Sequence, residues 1–116
     1  MDSPGLPTDW TRAVLPIVVL AALARGEAHG YALRQILHEE GLENVTGSTL
    51  YPLLARQQEL GRLGFRWEHD GSGPARKVFF LTKEGRGALG RLKVEWGRLA
   101  AVVENSLASD PTEVEK

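Results

Sequence analysis

The 116-residue chain contains no cysteine. That absence excludes a disulfide framework, thiolate zinc sites, iron–sulfur clusters and a cysteine nucleophile together. The three histidines, His29, His38 and His69, show neither HExxH nor any paired-His spacing, and no nucleophile motif occurs. Neither a metal, nor a cofactor, nor an enzymatic reaction is therefore expected. Long apolar runs are missing as well. The longest, Ala13–Ala24 (AVLPIVVLAALA), covers 12 residues and carries a proline. A membrane span needs roughly 20 residues, so this run reads as a buried helix. With Asp2 and Asp9 ahead of it and no basic stretch, it also makes a poor secretory leader. The expected setting is the cytoplasm, with no membrane association.

With 42% hydrophobic and 25% charged residues the chain has the composition of an ordinary soluble domain with a single core. The net charge of −1 hides an uneven distribution. Residues 1–55 hold three arginines against six acids, residues 56–98 hold ten Lys/Arg against five acids, and residues 99–116 hold one lysine against four acids. A basic middle between acidic ends fits an anionic partner for the middle, although chance clustering of solvated charges gives the same count.

Along the chain, residues 1–11 are expected to be loose, since MDSPGLPTD is rich in turn formers. From about Arg12, Val14, Ile17, Val18, Leu20, Ala21 and Leu23 make a helix that is apolar nearly all round and must be buried on several sides. Pro16 fits its first turn and Gly26 its end. A second helix is predicted from Gly30 to about Glu40, with Leu33, Ile36 and Leu37 as its stripe and Gly41 as its stop. A third begins in Thr46-Gly47-Ser48-Thr49, with Leu50, Leu53, Leu54 and Leu60 buried and Gly61 ending it. Pro52 favours a cap at Ser48 or Thr49 over one at Thr46, which would leave a kink.

Beyond Gly61 the period changes to two. Leu63, Phe65 and Trp67 share one face of a half-buried strand. Asp70-Gly71-Ser72-Gly73-Pro74 reads as a loop, and Lys77–Leu81 as the returning strand. Thr82 caps a final helix running to about Leu107, and residues 109–116 form a polar, disordered tail. Helix, helix, helix, hairpin, helix is a mainly α chain with a small β-hairpin, a winged helix-turn-helix over residues 12–81 with an added C-terminal helix over residues 82–108.

The third helix presents Ser48, Thr49, Tyr51, Arg56 and either Gln57 or Gln58 opposite its leucines. In a major groove, hydroxyls suit phosphates, and Tyr, Arg or Gln suit base edges. A solvated polar face has the same composition. The neighbouring hairpin tips the balance, because Arg66, Arg76 and Lys77 flank its Gly/Pro-rich tip and Lys83 opens the next helix. Cations and donors at that spacing can follow successive phosphates.

Several of these segments resemble the PadR family of transcriptional regulators, from about Leu15 to Leu107. They are His29-Gly30-Tyr31, Ser48-Thr49-Leu50-Tyr51-Pro52-Leu53-Leu54, Trp67, Gly73-Pro74-Ala75-Arg76-Lys77, Leu81-Thr82-Lys83-Glu84-Gly85 and Trp96. The chain departs from the family pattern at Gln57, usually leucine, and at Arg62, commonly apolar. Val78 and Phe79 replace two frequent tyrosines. The resemblance implies that Thr49, Tyr51 and Pro52 lie at the DNA face and that Arg76 and Lys77 lie in the wing.

In the last helix Leu89, Leu92, Trp96, Leu99 and Val103 recur at intervals of 3, 4, 3 and 4, a heptad-like seam. It either covers the chain's own core or meets a second subunit. Leu20, Leu23, Leu33, Ile36, Leu50, Leu53 and Leu54 already suffice for a small interior, which favours a homodimer. The resemblance implies one through this helix and the first. Some PadR-like regulators with a short last helix hold planar apolar effectors between tryptophans at that interface. This makes Trp96, with Leu92 and Leu99, a candidate effector site, against simple packing of Trp96 in the seam. Glu95 and Glu104 would favour cationic effectors if they border it, and the sequence does not place Trp10.

The expected function is a homodimeric, sequence-specific regulator of transcription, of the repressor type. It would bind double-stranded DNA at a pseudo-palindromic operator, with recognition helices about 34 Å apart. The rival expectation is a winged-helix module that binds a protein without a specific DNA target, since winged helices serve both ends.

Overall fold

The computed structural model describes residues 5–69 and 71–109. The elements are α1 (Thr8–Arg25), β1 (Ala28–His29), α2 (Gly30–Glu39), α3 (Gly47–Glu59), β2 (Leu63–Glu68), β3 (Arg76–Leu81) and α4 (Lys83–Ala108). This is the expected winged helix-turn-helix with a long last helix, with one addition. The sheet has three strands in the order β1-β3-β2, all antiparallel. The two-residue strand β1 pairs Ala28 with Phe79 and His29 with Val78, and was too short to signal itself in the sequence. Residues 1–4, 110–116 and Asp70 of the expected loop lie outside the described residues, which takes in most of the expected tail.

The core forms where α1, α2 and α3 converge on the sheet. Leu15, Val19, Leu20, Leu33, Leu37, Leu50 and Leu54 are buried there, with Ile36 and Leu53 packed against them. Two glycines shape the helix ends. Gly41 and Gly61 take φ of +111° and +81°, values that side chains disfavour. They let the Leu42 N–H reach the Leu37 carbonyl at 2.9 Å and the Arg62 N–H reach the Gln57 carbonyl at 3.0 Å, a Schellman closure at each end.

Two helix starts differ from expectation. α1 begins at Thr8, not Arg12, because Pro7 precedes it and Asp9 favours the positive helix end. Pro16 consequently sits mid-helix, where it denies the Arg12 carbonyl its N–H partner. α3 is capped by Thr46, not by Ser48 or Thr49, and Pro52 lies inside the helix. The early start is held by the Thr46 carbonyl, which accepts from the N–H groups of Thr49 (3.1 Å) and Leu50 (2.9 Å).

The strand expectation is corrected too. Only Leu63 of its apolar face is buried, whereas Phe65 and Trp67 are exposed, Trp67 by 63%. Phe65 lies opposite Phe79 and Trp67 opposite Lys77, nearer the tip, and the two rings meet edge to face at 6.0 Å. The expected cap of the last helix is present. The Thr82 hydroxyl accepts from the Gly85 N–H (2.9 Å) and donates to the Gly61 carbonyl (2.7 Å), tying the end of α3 to the start of α4. A Cβ on Gly85 would meet the Arg62 carbonyl oxygen at 2.1 Å, so backbone crosses backbone there. α4 has 26 residues, about 39 Å at 1.5 Å per residue. Its interior glycines Gly87, Gly90 and Gly97 seat no close neighbour.

Candidate nucleic-acid interface

Burial of Leu50 and Leu54 leaves Ser48, Tyr51, Pro52 and Arg56 on one exposed side of α3, with Thr49 half-buried beside them. At the helix start the Thr46 hydroxyl lies 3.0 Å from that of Ser48 and 3.5 Å from that of Thr49, a linked set of donors at the positive helix end. Arg56 pairs with Glu59 at 3.5 Å, and both remain exposed.

Gln57 does not belong to this surface. It is 5% exposed and its side-chain carbonyl accepts from the Arg62 guanidinium at 3.2 Å. The two departures from the family pattern are thus partners: a buried amide where leucine is usual meets a cation where an apolar residue is usual. Gln58 is the outward one, half-buried at the edge of a cleft.

That cleft, about 400 Å³, separates α3 from the wing and is lined by His29, Tyr31, Tyr51, Gln58, Arg76 and Lys77 among others. The Nδ1 of His29 caps α2 by accepting from the Ala32 N–H at 3.2 Å. The Nε2 of the same ring lies 2.9 Å from the Arg76 Nη1. The Lys77 Nζ sits 4.2 Å above the Phe65 ring centroid, and 5.4 Å from that of Phe79, a cation–π seat that holds its stem down while keeping its charge.

The other basic candidates are placed differently. Arg66 is paired with Glu27 and, at 3.3 Å, with Glu68. The hydrogen bond from Arg66, helped by its charge, holds the Glu27 carboxyl below its ordinary value, and the same bond raises Arg66. Its charge is therefore spent within the fold. Lys83 lies past the base of the hairpin, where Leu63 pairs with Leu81, and not at the end where Glu68 pairs with Arg76. Five residues of strand put these ends about 17 Å apart.

A family model described as the transcriptional regulator PadR-like family matches residues 19–91. The chain belongs to the PadR-like family of transcriptional regulators. Solved structures of such regulators share the fold. One is a PadR family regulator from Eggerthella lenta, at 32% identity and a TM-score of 0.81, covering 88% of each chain. A PadR-like regulator from Bacillus cereus has 28% identity and a TM-score of 0.79, covering 89% of this chain and 100% of its own. A Streptococcus transcriptional regulator has 32% identity and a TM-score of 0.74, covering 85% and 97% respectively. No curated protein matches.

The seam of this PadR-like chain divides along its length. Leu89 and Leu92 pack against the chain's own core, whereas Trp96, Leu99 and Val103 are exposed. The latter line an apolar groove of about 700 Å³ between α1 and α4, together with Trp10, Val14 and Ile17. Trp10 is 69% exposed; because α1 starts at Thr8 and not Arg12, Trp10 recurs with Val14 and Ile17 on one helix face. Glu104 borders the groove, while Glu95 and Leu92 are not among its lining residues. Among the described residues no helix is long and apolar enough to cross a membrane.

Proposed function

We propose that this PadR-like regulator acts as a homodimer on a pseudo-palindromic DNA site. The observation that carries the reading is the single surface made by Ser48, Tyr51, Pro52 and Arg56 on α3 with Arg76 and Lys77 across the cleft. The hydroxyls and the helix start suit phosphates, Tyr51 and Arg56 suit base edges, and the wing cations suit the flanking backbone. Thr49 supports the hydroxyl set; Arg66 and Lys83 have lesser roles, the first because of Glu27 and the second because of its distance.

Dimerisation uses the α1–α4 groove. Trp96, Leu99 and Val103 of one copy cover the corresponding groove of the other, removing apolar surface from water. The spacing of two α3 helices then matches successive major grooves, about 34 Å apart. Repression follows from occupying promoter DNA in the cytoplasm. A planar aromatic effector stacks on Trp96 and shifts the spacing of the α3 helices, so it and the operator oppose each other's binding.

The test is binding of the purified protein to the duplex upstream of its own gene, by fluorescence anisotropy, with and without unrelated competitor DNA. Retention against excess competitor supports the reading. Equal affinity for both duplexes rejects sequence specificity, and no affinity for either favours the protein-binding module.

A further inference from the structure

Tyr51 is 48% exposed, yet its ring is gripped along both edges. A Cβ built on Gly30 would lie 2.5 Å from its Cε1 and 3.1 Å from its hydroxyl oxygen. A Cβ built on Gly47 would lie 2.9 Å from its Cε2. Gly30 is the first residue of α2 and Gly47 the first of α3, so the ring stands in a gap between two helix starts. Neither glycine has the positive φ found at Gly41, Gly61 and Gly71. The backbone alone would accept alanine at both positions, and alanine is the better helix former.

The contrast with Gly85 is informative. There an added methyl collides with a backbone carbonyl, which cannot yield without moving an element. At Gly30 and Gly47 it collides only with a tyrosine ring, the movable end of a side chain. The fold can survive that collision, but the ring cannot keep its position.

We propose that Gly30 and Gly47 are positioning residues that form a slot for the Tyr51 ring and so fix its hydroxyl for reading a base edge in the major groove. The inference rests on the reading of α3 as the DNA-binding helix. A ring free to swing meets matched and mismatched sites alike, because it can relax around either. A ring held by its two edges meets only the site that presents a partner where its hydroxyl stands. The glycine of the His29-Gly30-Tyr31 motif thus serves specificity through a residue on another helix, without touching DNA.

The experiment is a double-mutant cycle on the full chain with Gly30→Ala, Tyr51→Ala and the pair. Affinity is measured for the upstream duplex and an unrelated duplex, melting temperature is recorded, and contacts between Gly30 Hα and the Tyr51 ring protons are followed by NMR. Gly30→Ala is expected to lower the specific-to-unrelated ratio about tenfold, the size of one base-pair mismatch. Its melting temperature stays level or rises, and the NMR contacts are lost. In the Tyr51→Ala background the same substitution changes the ratio no further. Equal losses in both backgrounds, an unchanged ratio in Gly30→Ala, or absence of the Gly30–Tyr51 contacts from the parent each overturn the slot. If Tyr51→Ala itself leaves DNA binding unchanged while those contacts are present, the reading of α3 fails instead, and with it the slot's role in specificity.

Discussion

Two surfaces of this molecule are built on opposite principles. Around α3 and the wing, polar groups are held in place by their neighbours: Tyr51 between Gly30 and Gly47, Lys77 over Phe65, Arg76 against His29. Along the groove between α1 and α4, Trp10, Trp96, Leu99 and Val103 stand exposed, lining it together with Val14 and Ile17. The first is organised before any partner arrives, as recognition of a rigid duplex demands. The second lies open to solvent. A pre-formed polar face and an uncovered apolar one on a single small chain divide recognition from assembly.

The strongest challenge to that division is Leu99→Glu. A carboxylate in the covered groove should give monomers by analytical ultracentrifugation. Specific DNA affinity should then fall by about a hundredfold or more, because the second half-site no longer benefits from tethering. A variant that stays dimeric would place the contact elsewhere. On the polar side, replacing Arg76 and Lys77 together by Ala should flatten the salt dependence of binding. The change in slope is about 2 per dimer if only Arg76 reaches a phosphate, and 3 to 4 if Lys77 leaves the Phe65 ring to join it. An unchanged slope would remove the wing from the interface.

Smaller effects separate the interior from both surfaces. Gln57→Leu leaves the Arg62 guanidinium without its acceptor and should cost about 1–3 kcal/mol in urea denaturation. Adding Arg62→Leu should restore most of that loss, and neither change should alter the ratio of specific to unrelated DNA binding. The least effect is expected from Glu27→Gln, which frees the Arg66 charge and should steepen the salt slope by no more than about 2 per dimer. Because pairing lowers the Glu27 carboxyl in the folded chain, its contribution is present above the unfolded value and is lost as pH falls through the folded one. Acid melting curves of parent and Glu27→Gln should therefore converge below the carboxylate range, and curves already identical at neutral pH would mean that the pair contributes nothing.

Signals carried by adjacent residues were readable without the structure. Gly41 and Gly61 end their helices because their neighbours need a left-handed residue, and Thr82 caps α4 through the Gly85 N–H three residues on. The Ser48–Tyr51–Arg56 side of α3 followed from the spacing of Leu50 and Leu54, and Pro52 joined it through the family resemblance. What escaped depends on distant partners. Arg66 looked like a free wing cation because Glu27 approaches it only once β1 lies along β3. The choice between Gln57 and Gln58 stayed open because the acceptor role of Gln57 needs Arg62 folded back across the Gly61 turn. Phe65 and Trp67 alternate as in a half-buried strand, yet only Leu63 on that face is buried. The start of α3 was misjudged by giving Pro52 more weight than the backbone bonds to the Thr46 carbonyl.

The glycines inside α4 bear on how the helix persists at all. Gly87, Gly90 and Gly97 each lower intrinsic helicity by about 1 kcal/mol relative to alanine, and beyond Leu92 nearly all of the helix is exposed. Only Gly97 of the three lies in that exposed stretch, where Ala, Leu, Glu, Lys and Arg hold nine of the sixteen positions and favour the helix by themselves. If the proposed association covers Trp96 and Val103, it adds to that order by mass action, and dilution then frays the end of α4 as well as separating the copies.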